Sequence, residues 1–432
     1  MTSDDADLNL PHHDETEHAR MTNPGGAPLA GLRVLDLTQF LSGPYCTQML
    51  ADLGAQVIKV EAPQGDLSRI IPPNFIGDDS VYYVSINRNK RSIAIDMKHA
   101  AGTAIVRRLI LESDILVENF RPGVLDRLGL KSSELRTERP GLIWCSISGF
   151  GQSGPYRDKP AYDMIVQALS GGMSLTGEPG RPAARAGIPI GDIAAGMYAS
   201  TAILAALHRR GETGRGDFID ISMLDCQAAM LSYQAAYYLH SGQIPARQGS
   251  GHDSIPTYRG FVTRDDTEIV ITANTERMWQ GLCRALDLPQ LADDPEFKTN
   301  RERYQNRAKL WPLLEAAFLK RSAAEWVPLL EKESIPVGVV NTLDRVMADP
   351  QIQHRGMIVE MTRPDGTQAR VMGNPMIFAE AKPPETSFPP ALGEDTIDVL
   401  RNVLGIADAE IDELVQSGAA IAHDVRKDVR AG

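Results

Sequence analysis

Cysteine is scarce and unpatterned. The chain carries four among 432 residues, Cys46, Cys145, Cys226 and Cys283, with no C-x-x-C pair and no histidine near them. That argues against a zinc site and against a disulfide framework, and it fits four small core side chains in a reducing compartment. Positive charge is in deficit. The formal net charge of −12 argues against a nucleic-acid partner, which needs a clustered basic face. It leaves a small polyanionic ligand open, because local groups decide that contact. No stretch approaches the ~18 apolar residues that a membrane helix needs. The segment ahead of Pro28 lacks a signal peptide's apolar run, is rich in His, Asp and Thr, and reads as a disordered tail over 1–28. A cytoplasmic protein without a membrane partner is the expectation.

Strand and helix patterns alternate from Leu29 onward. Leu32–Thr38 reads as a buried strand, and Gln39–Gly43 as a loop. A helix then opens near Pro44 and closes at Gly54. Gln56–Val60 is the next strand, so this is a βαβ unit with parallel strands. The pattern recurs with strands at 91–96, 115–117 and 142–147 and a helix at 101–112. Together these indicate a Rossmann-like, doubly wound α/β domain over 29–225. A linker is expected over 226–250 and a smaller α+β domain over 251–340. That small domain has a hairpin at 260–272 and helices at 275–287, 308–320 and 323–333. Residues 341–432 are expected to return to the large domain, with strands at 356–362 and 370–378 and two helices over 394–416.

An open α/β sheet binds its ligand in loops at the carboxyl ends of its strands. Three such loops stand out: Gln39–Pro44, Glu118–Gly123 and Gly149–Pro155. None is a G-x-G-x-x-G fingerprint, so a dinucleotide cofactor is poorly supported. Arg88, Lys90, Arg91, Lys98, Arg121 and Arg127 fall close together. They read either as a phosphate patch or, more plainly, as a solvated face. Asp192 follows Gly191 and precedes an Ala-rich helix, Ile193–His208. Spacing leaves two readings open, an N-cap and a carboxylate kept ionised by the helix dipole, and favours the cap. Asp163 and Tyr162 read on their own as another cap and a core aromatic.

These stretches, taken in order, resemble the class III CoA-transferases (the CaiB/BaiF family). The resemblance rests on Leu29-Ala-Gly-Leu-Arg-Val-Leu-Asp-Leu-Thr38, Ala51-Asp-Leu-Gly-Ala-Gln-Val-Ile-Lys-Val-Glu61, Asn89-Lys-Arg-Ser-Ile93 and Val117-Glu-Asn-Phe-Arg-Pro-Gly123. It continues through Ser146-Ile-Ser-Gly-Phe-Gly151, Tyr162-Asp163, Ser170-Gly-Gly172, Gly191-Asp192, Gly214-Arg-Gly216 and Leu392-Gly-Glu394. It implies a transferase moving CoA from an acyl-CoA to a small carboxylic acid through a covalent intermediate on Asp192, with Asp163 and Tyr162 in support. It implies contacts to the CoA nucleotide from Lys98, Asn119, Phe120, Arg127 and Leu128, and further contacts from Ile95 and Met223. Phe40 and Ser42 would lie beside the thioester. CoA would be a substrate, with no metal and no permanently bound cofactor, and the implied assembly is an interlocked homodimer.

There are departures. Formyl-CoA transferases have a glutamine at the position of Leu41, an arginine at that of Ala62 and a glutamate at that of Asp163, and their tetraglycine loop is missing. Another acyl pair, with succinyl-CoA as donor, is the expectation. The alternative is an acyl-CoA racemase of the same fold. Racemases of this type place a histidine where Tyr162 stands, and this chain has none between His99 and His208.

Overall fold

The computed structural model describes residues 26–423, so the expected tail lies outside it up to residue 25. Ordered contacts begin at once, with Ala27 packed against Gly54 and the Leu29 amide bonded to the Leu53 carbonyl. Two compact units divide the described chain. The first takes residues 26–162, 191–226 and 356–423, and the second takes 163–190 and 227–355.

The first unit is built on strands β1 (Arg33–Asp36), β2 (Gln56–Glu61), β3 (Lys90–Ile95), β4 (Ile115–Glu118), β5 (Ile143–Ser148) and β6 (Phe218–Ser222). They pair in parallel in the order β3-β2-β1-β4-β5-β6. A short strand, Ala420–Ile421, adds antiparallel to the free edge of β3. Val34, Leu35, Ile58, Ile93 and Leu116 are fully buried, the continuous apolar run that a sheet covered on both faces requires. Helices α1 (Ser42–Asp52), α2 (Ala100–Leu111) and α3 (Ile190–Thr213) belong to this unit. The strand order reverses between β1 and β4, which opens a crevice at their carboxyl ends.

That crevice rests on buried charge. Asp36, at the end of β1, is fully buried and accepts from the Thr38 amide at 2.9 Å, the Thr47 hydroxyl at 2.6 Å and Lys90 Nζ at 3.0 Å. Lys59 Nζ reaches the Thr38 carbonyl and the Asp66 carboxylate, both at 2.8 Å. Arg69 joins Glu61 at 2.7 Å and Asp79 at 2.6 Å, and Arg363 closes on Asp79 at 3.0 Å. Burial alone would raise the Asp36 carboxyl. The ammoniums of Lys90 and Lys59 and the hydroxyls of Thr38 and Thr47 outweigh it and hold the group far below the carboxylate range. Glu61 and Asp66 are lowered in the same way, burial being outweighed mainly by Arg69 and by Lys59 respectively.

The second unit carries an antiparallel sheet of β7 (Arg259–Val262), β8 (Glu268–Ile271) and β9 (Val337–Val339), with β8 in the middle. Helices Glu276–Ala285, Arg307–Phe318 and Ala323–Lys332 surround a core of Phe261, Trp279, Phe318 and Trp326.

Several expectations need correction. Residues 163–190 group with the second unit, not with the large domain. Gln167 ties this segment together by accepting from the Ala186 amide, and Ser170 donates to Gln227. The region 226–250 is not an extended linker. Helices Met223–Met230 and Ser232–Ser241 fill most of it, since its Ala, Gln, Met and Leu favour helix. The first unit resumes at Gly356, not 341, because two short helices, Leu343–Met347 and Pro350–His354, intervene. The second late strand is Gln368–Met372 and stops before Gly373 and Pro375. Finally, α3 is 24 residues long and apolar enough by length and composition to cross a membrane. Its hydropathy comes mainly from Ile190, Ile193, Ile203, Leu204 and Leu207. Ala195, Ala199, Ile203 and Ala206 form a buried stripe, as in a core helix.

Removing one member of the ion network strands its partner. Lys59→Met should cost about 3–5 kcal/mol, whereas Arg401→Ala, which breaks an exposed pair with Asp408, should cost under about 1 kcal/mol. Denaturant unfolding measures both, and equal effects would contradict the account. Because Asp36, Glu61 and Asp66 are depressed, their contribution is present above the unfolded carboxylate values. It is lost as pH falls below about 4.

Candidate active site

The loop after β1 is held from Thr38 to the Phe40 amide. The Thr38 amide is taken by Asp36 at 2.9 Å and its carbonyl by Lys59 at 2.8 Å. Asn119, just beyond β4, accepts from the Gln39 amide at 2.9 Å and donates to the Gln39 carbonyl at 2.8 Å. The Phe40 amide donates to Asp66 at 3.3 Å. Phe40 itself has φ +61°, a conformation that costs a non-glycine residue about a kcal/mol or more. Its ring meets Tyr162 edge-on, with centroids 6.1 Å apart. Tyr162 is 66 % exposed, so it is a surface aromatic and not a core one.

Helix α1 begins at Ser42, and Leu41 occupies its cap position without a side-chain cap. Its first-turn amides therefore keep their partial positive charge. Helix α3 packs beside this turn. A Cβ on Gly196 would stand 2.7 Å from the Ser42 carbonyl and 3.3 Å from the Cys46 amide, so only glycine allows the approach. Ser200, one turn further, donates to the Cys46 carbonyl at 3.4 Å. Asp192 lies four residues before Gly196, on the same face of the helix. The helix starts at Ile190, two residues ahead of Asp192 and three before the expected Ile193. Asp192 is thus inside the first turn, half-buried, and not at the cap position. An acid there is favoured by the helix dipole.

The other expected residues divide. Phe40, Ser42, Asn119, Phe120, Arg127 and Leu128 follow β1 and β4, on the two sides of the crevice, and exposed Lys98 follows β3. Asn119 spends its amide on Gln39 and acts as a clamp for that loop. Ile95 is fully buried in the sheet core and has no surface to offer a ligand. Met223, just after β6, is largely buried too. Asp163 opens the helix Asp163–Leu169 and accepts from Gln167 at 2.7 Å, within the second unit. Half of the expected basic patch is structural. Arg88 pairs with Asp52, Lys90 with Asp36, and Arg91 with Asp395 and Asp398. Among the described residues no cluster of His, Cys, Asp or Glu is arranged to hold a metal ion.

Glu118 was not singled out by its sequence position. It ends β4, is 6 % exposed, and accepts from the Phe120 amide at 2.9 Å. Burial pushes its carboxyl up to about 7, against the pull of Ser146, the Phe120 amide and Trp144. The continuous apolar run Ile115-Leu-Val117, which marks β4 as buried, was the available signal for it.

A twisted parallel sheet with a reversal between β1 and β4, and an acid-bearing helix beside that crevice, define an α/β enzyme that binds its ligand at the strand ends. Residues 29–396 match CoA-transferase family III, and the chain belongs to that family. It is 39 % identical over 398 residues to the succinyl-CoA:glutarate CoA-transferase of Homo sapiens, covering 92 % of this chain and 91 % of that one. It is 39 % identical over 380 residues to the succinate–glutarate CoA-transferase of Agrobacterium fabrum, covering 86 % and 95 %. The crystal structure of a CaiB/BaiF family protein from Brucella suis superimposes with a TM-score of 0.78 at 38 % identity, over 87 % of this chain and 98 % of that one. The enzyme is an acyl-CoA:carboxylate CoA-transferase, and the racemase alternative finds no support among these relatives.

Two outcomes follow from the geometry. Gly196→Ala should push α3 off the first turn of α1, lowering stability by about 1–3 kcal/mol and transfer activity with it. A variant with unchanged melting and turnover would contradict the contact. Glu118 holds a proton when folded up to about pH 7, while its unfolded value is 4.5. Unfolding free energy should therefore fall as pH rises between those values, by on the order of 3 kcal/mol. Glu118→Gln should flatten that slope in denaturant titrations at pH 5 and pH 8, and an unaltered slope would count against the raised value.

Proposed function

We propose that the enzyme transfers CoA from succinyl-CoA to a short dicarboxylic acid of the glutarate type, with Asp192 as the nucleophile. The observation that carries this is the place of Asp192. It stands in the first turn of α3, half-buried, on the stripe that touches the uncapped first turn of α1. An ionised carboxylate is favoured there, and amide donors for a developing oxyanion lie on the facing turn.

The steps balance as follows. One Asp192 oxygen attacks the thioester carbonyl and CoA thiolate leaves, forming a mixed anhydride. The thiolate attacks the aspartyl carbonyl, succinate departs, and an aspartyl-CoA thioester remains. A carboxylate of the acceptor attacks this thioester and again expels CoA thiolate. The thiolate then attacks the acceptor carbonyl, which frees Asp192 and the new acyl-CoA. Splitting one difficult exchange into four acyl transfers is what a covalent nucleophile contributes. The choice of succinate and glutarate follows the names of the two relatives above, and Leu41 and Ala62 depart from the formyl-type pattern in the same direction. An interlocked homodimer in the cytoplasm is part of the same reading.

Asp192→Ala should reduce succinyl-CoA:glutarate transfer by at least about 10³-fold while CoA still binds. Mass spectrometry after borohydride trapping of wild type incubated with succinyl-CoA should locate the adduct at residue 192. Near-normal turnover in the variant, or an adduct elsewhere, would end the proposal.

A further inference from the structure

A second arginine converges with Arg127 on a bare glycine, and its position was given neither by the resemblance nor by the charge pattern. Gly123 has φ +80°, and a Cβ there would stand 3.4 Å from Arg127 Nη1 and 3.5 Å from Arg157 Nη2. The two guanidiniums thus reach over the same backbone position, which no side chain fills. Arg157 is held for this. Its Nε donates to the Gln152 carbonyl at 2.9 Å and its Nη1 to Asp158 at 2.8 Å. Gln152 is tied to the sheet by its amide to Asp220 at 2.9 Å and its side chain to Ser146 at 2.7 Å. That leaves Arg157 Nη2 without an acceptor among the described residues. Arg127 likewise pairs with no carboxylate among them. A cavity of about 60 Å³ lined by Arg121, Gly123 and Gln152, among others, opens beside this point.

Two cations brought together without a shared counter-ion repel each other, and a phosphate bridging them turns that cost into two charge-assisted hydrogen bonds. We infer that Arg157 and Arg127 form a two-armed clamp over Gly123 for a phosphate group of the CoA nucleotide. The inference rests on the CoA-transferase reading, but not on Asp192 being the nucleophile. Arg157 is a binding residue in this account and takes no part in acyl transfer. Its fork geometry matters, so lysine is a poor substitute.

The test is calorimetric binding of CoA, 3′-dephospho-CoA and pantetheine to wild type, Arg157→Ala and Arg157→Lys, with melting temperatures as a control on folding. Arg157→Ala should weaken CoA about 5–20-fold, with pantetheine unaffected and Arg157→Lys in between. If the loss disappears with 3′-dephospho-CoA, the clamp holds the 3′-phosphate. If it persists there, the clamp holds the diphosphate. CoA affinity within twofold of wild type would overturn the clamp, as would an equal loss with pantetheine. Failure of the Asp192 reading would instead appear as transfer retained in Asp192→Ala, whatever Arg157 does.

Discussion

The constraint on which the first unit depends is the neutralisation of charge around the carboxyl ends of β1 and β2 and the start of β3. Asp36, Glu61, Asp66 and Asp79 meet Lys59, Arg69, Lys90 and Arg363, four against four. Desolvating such groups costs several kcal/mol per ion, and apolar residues of the same volume would often serve stability as well. What apolar residues would not supply is a set of acceptors and donors aimed at loop peptides. Asp36 takes the amide of Thr38, Lys59 its carbonyl, and Asp66 the amide of Phe40. The network therefore fixes a loop that would otherwise relax away from φ +61° at Phe40. Remove a member, and the loop and the fold weaken together.

The same constraint limits where oxyanion stabilisation is available. Because the amides of Thr38, Gln39 and Phe40 are already committed, they are not free to stabilise a tetrahedral intermediate. The nearby Gly151 amide is committed too, to the Ser148 hydroxyl at 2.9 Å. The glycine-rich loops are thus turns and close approaches more than anion nests. The first turn of α1 is different, since Leu41 has no side-chain oxygen to cap it. A glycine, Gly196, brings α3 against that turn. The approach works only because both partners gave up a side-chain feature: a capping oxygen on one, a Cβ on the other.

Much of this was legible in the chain, and the misses have separate causes. The alternation of apolar strands with helices carried the parallel sheet, because buried parallel strands are apolar throughout. The hairpin β7–β8 was legible from its turn residues Asp265 and Asp266. The start of α3 was not. Pro189 hid it, since proline is a helix breaker in the interior but tolerated just before or inside the first turn. That shift of three residues turned Asp192 from an apparent cap into an acid within the first turn. Ile95 failed as a contact for the opposite reason: strand periodicity already marked it as core, and only the resemblance argued otherwise.

Charge was the least legible feature, and the reason is physical. A cation's availability to a ligand depends on whether a carboxylate distant in sequence has already claimed it. Arg88 is claimed by Asp52 and Arg91 by Asp395, partners 36 and 304 residues away. Among the described residues Arg127 is claimed by no carboxylate, and Arg157 is claimed at only part of its fork. Counting basic residues along the chain ranks Arg88 and Arg91 with Arg127 and leaves Arg157 out. Counting donors left over after folding separates them, and in a protein of net charge −12 it is that remainder, set by tertiary pairing, that decides where a polyanion can be held.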